Sequence, residues 1–346
     1  MRKLFFLLIL CFLISCKKEE FKKEEVVVNQ IYSTWDKFDS IDGYVTFQIY
    51  ELVLGENDEI LFSSFARKNW NHGAYGIFKF SDDIISEYDT LKFVEYNKYI
   101  NDSGEKTIWL NSSVIFIKIE TQERTFWDIA DSKNKMQSSK SKVDSYGNIW
   151  IASENYYNSS TDGIEMYDGS QWKTYFKGTD FWAICFDKTG NLYASTLPDF
   201  DRPGLVLKYD YNQWDTIIIC SGPAKWIPTM SFDLENNLWL GVLYRSAIAP
   251  ESGDGLYKYD GENITHFHMK NSELQSNSVV DIAIDKQNNK WIATYAGGLS
   301  KLSSTGKWEN FNTENTPMDY NSVESVVVDN NNNVWFENNG LIRLEE

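Results

Sequence analysis

Asn277-Ser278-Val279-Val280-Asp281-Ile282-Ala283-Ile284-Asp285 runs into Lys286-Gln287-Asn288-Asn289, and then into Lys290-Trp291-Ile292-Ala293-Thr294-Tyr295-Ala296-Gly297-Gly298-Leu299. The first segment is apolar and stops at an Asp, whose carboxylate is suited to cap the amides of a tight turn. Gly or Asn inside such a turn tolerates the positive φ that a hairpin needs. The segment after the turn is almost continuously apolar, as a strand is when both faces of its sheet are covered. Two antiparallel strands joined by a turn are therefore expected here, with a third beginning at Gly298-Leu299.

The same unit recurs along the chain. Asp-x-x-Gly/Asn-Asn-x-Trp/Tyr runs from Asp144 to Trp150, Asp187 to Tyr193, Asp233 to Trp239, Asp285 to Trp291 and Asp329 to Trp335, at steps of 43, 46, 52 and 44 residues. Ile60-Leu61-Phe62-Ser63-Ser64 and Ile108-Trp109-Leu110-Asn111-Ser112 align with Ile149-Trp150-Ile151-Ala152-Ser153 as two weaker copies, although Gly55 and Ser103 replace their turn Asp. A small residue and an apolar strand follow each copy, as in Gly163-Ile164, Gly204-Leu205, Gly255-Leu256 and Gly340-Leu341. An aromatic-rich strand comes next, such as Trp172-Lys173-Thr174-Tyr175 or Trp308-Glu309-Asn310-Phe311, with others near Ile85, Phe126, Trp214 and Ile264. Asp168-Gly169 and Asp260-Gly261 mark the turn between the third and fourth strands.

Repeats of roughly 40–50 residues, each a four-stranded sheet, are the signature of a β-propeller. The expected fold is all-β: a seven-bladed propeller of four-stranded blades over residues 31–346. The last blade lacks an outer strand, because the chain stops after Gly340-Leu341-Ile342-Arg343-Leu344. Trp35-Asp36-Lys37-Phe38 matches Trp308-Glu309-Asn310-Phe311, so the N-terminal strand is expected to complete that blade and close the ring. Small residues recur late in the second strand (Ser63, Ala152, Ser195, Gly241, Ala293), where a neighbouring blade packs close.

Met1-Arg2-Lys3 and the apolar run Leu4 to Ile14 read as a secretory signal over residues 1–15. The run is shorter than the about 20 residues of a membrane span. Leu13-Ile14-Ser15-Cys16 resembles a bacterial lipobox, which makes Cys16 the expected lipidation site and membrane anchor. Residues 16–30 then form a charged tether, and Lys17-Lys18-Glu19-Glu20 resembles the surface-export signals of some Gram-negative lipoproteins. An outer-membrane lipoprotein, periplasmic or cell-surface facing, is the expected location. With 33 Lys+Arg against 50 Asp+Glu the net charge is −17, which repels phosphates, so no nucleic-acid partner is expected. Cys185 and Cys220 remain after the signal and lipid site. A bridge fits an oxidising compartment, but Cys185 lies in an apolar strand pattern, and two buried free thiols are favoured.

The units resemble two-component regulator propeller repeats, most closely over Asn277 to Leu299 and again from Asn321-Ser322-Val323 to Trp335. The resemblance is strong from about residue 141 onward and weaker before it. It implies the propeller fold and an extracytoplasmic sensory context, often for sugars, in a form without a kinase segment.

Candidate chemistry separates into frame and exceptions. The repeated Asp could mimic a calcium loop at Asp329-Asn330-Asn331-Asn332-Asn333, but the twelfth position is Gly340 rather than an acid. A position recurring in every strong repeat is what a turn requires, and the repeated Trp residues are read as core. His266 and His268 share one face of a strand with no third ligand nearby, so a solvated outer strand is preferred to a metal site. No metal or other cofactor is expected. The irregular loops on one face are the candidate site: Arg67, Trp70 and His72; Tyr156 and Tyr157; Trp182; Arg202; Trp226; Tyr244 and Arg245. Aromatics mixed with charged groups suit a glycan or a peptide, because rings stack and charged groups hydrogen-bond. A monomeric, non-enzymatic binder of a glycan, peptide or protein partner is the leading expectation. The alternatives are a lyase or hydrolase using acids among Glu154, Asp180, Asp201 and Asp254 at the channel mouth, and an accessory sensor for a separate signalling protein.

Overall fold

The computed structural model describes residues 34–38, 46–54, 60–69, 72–81, 84–89, 106–110, 113–117, 124–128, 137–154, 163–168, 171–197, 204–219, 225–244 and 250–345. Before residue 142, the described side chains are those of Trp35, Asp36, Lys37, Leu52, Ile60 and Phe80. Among the described residues, apart from one short 3-10 turn, Pro250–Ser252, every regular element is a strand.

Strand β1 (Thr34–Phe38) comes first. The first sheet is β2 (Thr46–Leu54), β3 (Ile60–Asn69), β4 (His72–Ser81) and β5 (Ile84–Asp89). A three-stranded second sheet follows: β6 (Lys106–Leu110), β7 (Ser113–Ile117) and β8 (Arg124–Asp128). The third is β9 (Gln137–Val143), β10 (Ile149–Glu154), β11 (Ile164–Tyr167) and β12 (Trp172–Tyr175). The fourth is β13 (Phe181–Phe186), β14 (Leu192–Thr196), β15 (Leu205–Tyr209) and β16 (Trp214–Ile219). The fifth is β17 (Lys225–Phe232), β18 (Leu238–Tyr244), β19 (Gly255–Tyr259) and β20 (Ile264–Phe267), and the sixth β21 (Val279–Ile284), β22 (Lys290–Thr294), β23 (Gly298–Leu302) and β24 (Trp308–Phe311). The seventh joins both ends of the described chain, in the order β1, β27 (Leu341–Glu345), β26 (Val334–Glu337), β25 (Val326–Val328). This all-β arrangement of antiparallel four-stranded sheets is that of a β-propeller.

The Asp turns do what their residue types predict. Asp285 accepts the amides of Gln287 (3.0 Å) and Asn289 (2.7 Å) on Oδ1, while Asn288 takes φ +65°. The second strands are buried on both faces, as their unbroken apolar runs require: Leu192 to Thr196 and Lys290 to Thr294 are buried throughout. Consecutive sheets pack through their first strands, in the order β9, β13, β17, β21, β25, and β2 lies against β25 and β26. The small residues mark those contacts. A Cβ on Gly241 would stand 2.6 Å from Val279 Cγ1, and Ser195 Oγ donates to the Ile227 carbonyl at 2.9 Å. β1 pairs with β27 from Thr34↔Glu345 to Phe38↔Leu341. Trp35 sits edge-on to Phe311 (5.8 Å) and Phe336 (6.2 Å), Lys37 bonds Asp319 at 2.7 Å, and Asp36 pairs with Arg343. Cys185 is a buried free thiol, pushed up to about 12 chiefly by burial; Cys220 lies outside the described residues.

Candidate functional site

The first strands of the third, fourth, fifth and sixth sheets carry a register shift towards their leading ends, and that of the first sheet carries one at mid-strand. A bulge of this kind turns a side chain out of the regular alternation. In β13 the shift falls between Phe181 and Ala183, which leaves Trp182 as the extra residue. In β17 it falls between Trp226 and Thr229. The two half-buried indoles meet with ring centroids 5.0 Å apart and planes inclined by 36°. Trp182 rests on the core cluster of Ala183, Cys185 and Ile227, and Trp226 on that of Leu243 and Val280. Each ring is held from behind by apolar packing.

A polar row lies beside this pair on the fifth sheet. Lys225 is 8% exposed, and its Nζ is 2.6 Å from Asp254 Oδ2. The Tyr257 hydroxyl donates to the same oxygen at 2.5 Å. His266 stacks on Tyr257 (4.1 Å, 13°), and its Nε2–H donates to the Asp254 carbonyl at 2.5 Å. Two glycines place Asp254. A Cβ on Gly253 would stand 1.8 Å from the Asn277 carbonyl oxygen, and Gly255 has φ +89° with the Phe267 carbonyl where its Cβ would go. His266 lies on the outer strand β20, as expected, and is only half-exposed there because it is a stacked, hydrogen-bonded member of this network. His268 lies just beyond β20, with its ring 4.9 Å from that of His266. Among the described residues no group of three or more His, Cys, Asp or Glu could hold a metal ion.

Of the residues expected from sequence, the structure brings together Trp182 and Trp226. Arg67 lies on β3, His72 on β4 and Tyr244 on β18, with their side chains outside the described residues. Trp70, Tyr156, Tyr157, Arg202, Arg245 and Cys16 lie outside the described residues altogether. Of the acids expected at the mouth, Asp254 is spent on Lys225 and Tyr257, while Asp201 and the Glu154 side chain are not described.

One acid was missed by the sequence reading. Glu337 occupies the late position of the second strand that Ala152, Ser195, Gly241 and Ala293 fill in other sheets. It is 5% exposed, and burial pushes its carboxyl up to about 7. The signal was present as a break in the small-residue pattern.

The architecture matches solved structures at low identity. A catalytically inactive virginiamycin B lyase from Staphylococcus aureus, crystallised with quinupristin, superposes with a TM-score of 0.64 at 11% identity, over 90% of this chain and 99% of that one. The extracellular domain of a putative hybrid two-component system protein from B. thetaiotaomicron superposes with a TM-score of 0.59 at 13% identity, over 91% of this chain and 40% of that one. A second such domain from B. thetaiotaomicron gives 0.57 at 15% identity, over 87% and 42%. These likenesses show the β-propeller fold. No family model and no curated protein matches the sequence. No helix among the described residues is long and apolar enough to cross a membrane.

Proposed function

We propose that this chain is a non-enzymatic binding protein that recognises a glycan or peptide on the propeller face carrying the leading ends of the first strands. The observation that carries this reading is the Trp182–Trp226 pair, braced from behind and flanked by the ion-paired Lys225 and Asp254. A half-buried aromatic surface beside fixed charged groups suits a ligand that has both apolar faces and hydroxyl or amide groups. In this reading the frame is a closed seven-bladed ring over residues 31–346, completed by β1. The β1–β27 pairing supports that closure, as do the contact of β2 with β25 and the Phe80 ring 4.8 Å from Trp335. Residues 1–15 are the signal, Cys16 carries the lipid that holds the protein at the outer membrane, and residues 16–30 are the tether.

The test is a glycan array and an immobilised peptide library probed with the purified protein and its Trp182→Ala and Trp226→Ala variants. Each variant is expected to weaken binding about tenfold or more with unchanged melting, because a stacked ring contributes on the order of a kcal/mol beyond its area. An empty array and library, or variants that bind like the parent, would sink the reading.

Two further readings each have an observation behind them. The likeness to extracellular domains of hybrid two-component proteins favours an accessory sensor that passes ligand state to a separate protein. Glu337, with a carboxyl near neutrality, favours a lyase or hydrolase.

A further inference from the structure

The sixth and seventh sheets carry a second constellation, on other sheets than the tryptophan pair and at the same ends of the strands. Its floor is Glu337. Oε1 accepts the amide of Glu324 at 2.9 Å, and Oε2 takes no hydrogen bond from any described residue. An acid that is nineteen-twentieths buried, with one carboxylate oxygen unused, stands in the position that Ala152, Ser195, Gly241 and Ala293 fill in the third to sixth sheets. Glu324 supplies a second, exposed carboxylate. Tyr295 and Tyr320 complete the group. The Tyr320 hydroxyl accepts the Asn339 amide at 3.2 Å, two residues from Glu337, and Tyr295 packs on the core cluster that holds Val323 and Phe336, the chain neighbours of Glu324 and Glu337. Both phenols are held above the usual range, first by burial and then by the charges of Glu337 and Glu324.

The support behind these groups is rigid. Asn338 is fully buried; its Nδ2 donates to the carbonyls of Tyr320 (2.7 Å) and Ser322 (2.8 Å), and its Oδ1 accepts the Asp319 amide (2.6 Å). The Tyr295 amide donates to the Ser278 carbonyl at 3.0 Å. The turn from β26 to β27 is only Asn338-Asn339-Gly340.

We propose that Glu337, Glu324, Tyr295 and Tyr320 form a receptor for a protonated primary amine. An ammonium has three N–H donors and one positive charge. Oε2 of Glu337 and the Glu324 carboxylate accept two of the donors, and the electron-rich tyrosine rings favour the cation. The net charge of −17 raises the local concentration of cations at such a group. A divalent metal fits less well, because Ca²⁺ takes about six to eight oxygen ligands and only two carboxylates converge. The amine can belong to an amino sugar or to a lysine side chain, and the experiment separates the two.

The full chain is titrated calorimetrically with glucosamine against glucose, and with N-acetyl-lysinamide against N-acetyl-norleucinamide. At least one amine is expected to bind saturably where its uncharged counterpart does not, and that pair names the source. Near pH 6.5 binding is expected to release a proton from Glu337, seen as heat that depends on the buffer's ionisation enthalpy. Glu337→Gln removes the proton release and weakens amine binding about tenfold or more, and Glu324→Gln weakens it without removing the release. Glu262→Gln, an exposed acid on the turn before β20, leaves amine binding unchanged; the tryptophan site is read by the array and library and this one by the Glu337→Gln titration, so the two failures are distinguishable. Equal binding of each amine and its uncharged counterpart overturns the proposal, as does a folded Glu337→Gln protein that binds like the parent.

Discussion

Asp285 has no oxygen left for catalysis or for calcium. Oδ1 takes two turn amides, and Oδ2 takes Asn289 Nδ2 at 2.7 Å and the Trp291 indole N–H at 3.0 Å. Asp144, Asp233 and Asp329 repeat the couple with Trp150, Trp239 and Trp335 at 2.8 to 2.9 Å. The two residue types that most resemble chemistry in the sequence thus satisfy each other: a buried carboxylate needs donors, and a buried indole needs an acceptor. For Asp233, burial pushes the carboxyl up, but Asn237, Trp239 and Lys290 outweigh it and hold the group at about 2. Glu337 is displaced the opposite way, to about 7 from an ordinary 4.5. A raised carboxyl binds its proton more tightly in the folded than in the unfolded state. Its contribution is therefore most favourable below the unfolded value and is lost as pH climbs from about 4.5 to about 7. The loss amounts to up to about 3 kcal/mol at roughly 1.4 kcal/mol per pH unit. Glu337→Gln is expected to flatten this part of the curve and to be the more stable protein at pH 8. Urea denaturation of both proteins at pH 5 and pH 8 checks it, and a variant that loses stability equally at both values would contradict it.

Neighbouring turns of the fourth to seventh sheets are tied by one repeated bond. Asn236, Asn288 and Asn332 all have positive φ, and their Oδ1 atoms accept the amides of Lys188 (2.9 Å), Leu234 (2.8 Å) and Lys286 (3.1 Å) of the preceding sheet. Between the third and fourth sheets this tie is missing, since the turn residue is Gly190. Tyr211 takes over. It stands where the fifth sheet has Gly261, with φ +68°, and its hydroxyl donates to Asp144 Oδ2 at 2.9 Å. Its ring meets Tyr146 edge-on at 5.5 Å and Tyr209 at 5.4 Å. A left-handed backbone on an aromatic residue costs about 1–2 kcal/mol and persists only where contacts outweigh it. Tyr211→Gly should therefore destabilise the protein although it relieves the backbone. Tyr211→Phe should cost about 1–2 kcal/mol for the lost bond to a carboxylate. Gly190→Asn in the Tyr211→Phe background should recover part of that loss. Thermal melts of the series decide it; a Tyr211→Gly protein more stable than the parent would show that the contact is incidental.

At the scale of the molecule, β1 lies far in sequence from the sheet it completes: Asp36 and Arg343 are separated by 307 positions. Without β1, the edge of β27 and the rings of Phe311 and Phe336 lose their cover, and an open edge invites pairing with other chains. Trp35→Ala is expected to lower stability by about 2–3 kcal/mol, less than a fully buried Trp would cost because Trp35 is half-buried. It is also expected to promote association at high concentration. Denaturation midpoints and light scattering measure both effects, and a monodisperse variant of parental stability would argue against β1 as the closing strand.

The repeat alone was enough to read the order of strands, the positions of the Asp turns and the match of Trp35 to Trp308. These depend on contacts within one hairpin and on a period that any stretch of the chain displays by itself. The candidate loops were legible only as departures from that period, which says where variation lies and not what meets there. The meeting of Trp182 with Trp226, the bond of Lys225 to Asp254 across 29 positions and that of Tyr211 to Asp144 across 67 were decided by the tertiary structure. So was the protonation of Glu337, which is set by what surrounds the carboxyl. Each is a contact across a sheet or between sheets, and its geometry follows from the twist and stacking of whole sheets, which no local pattern of residues encodes.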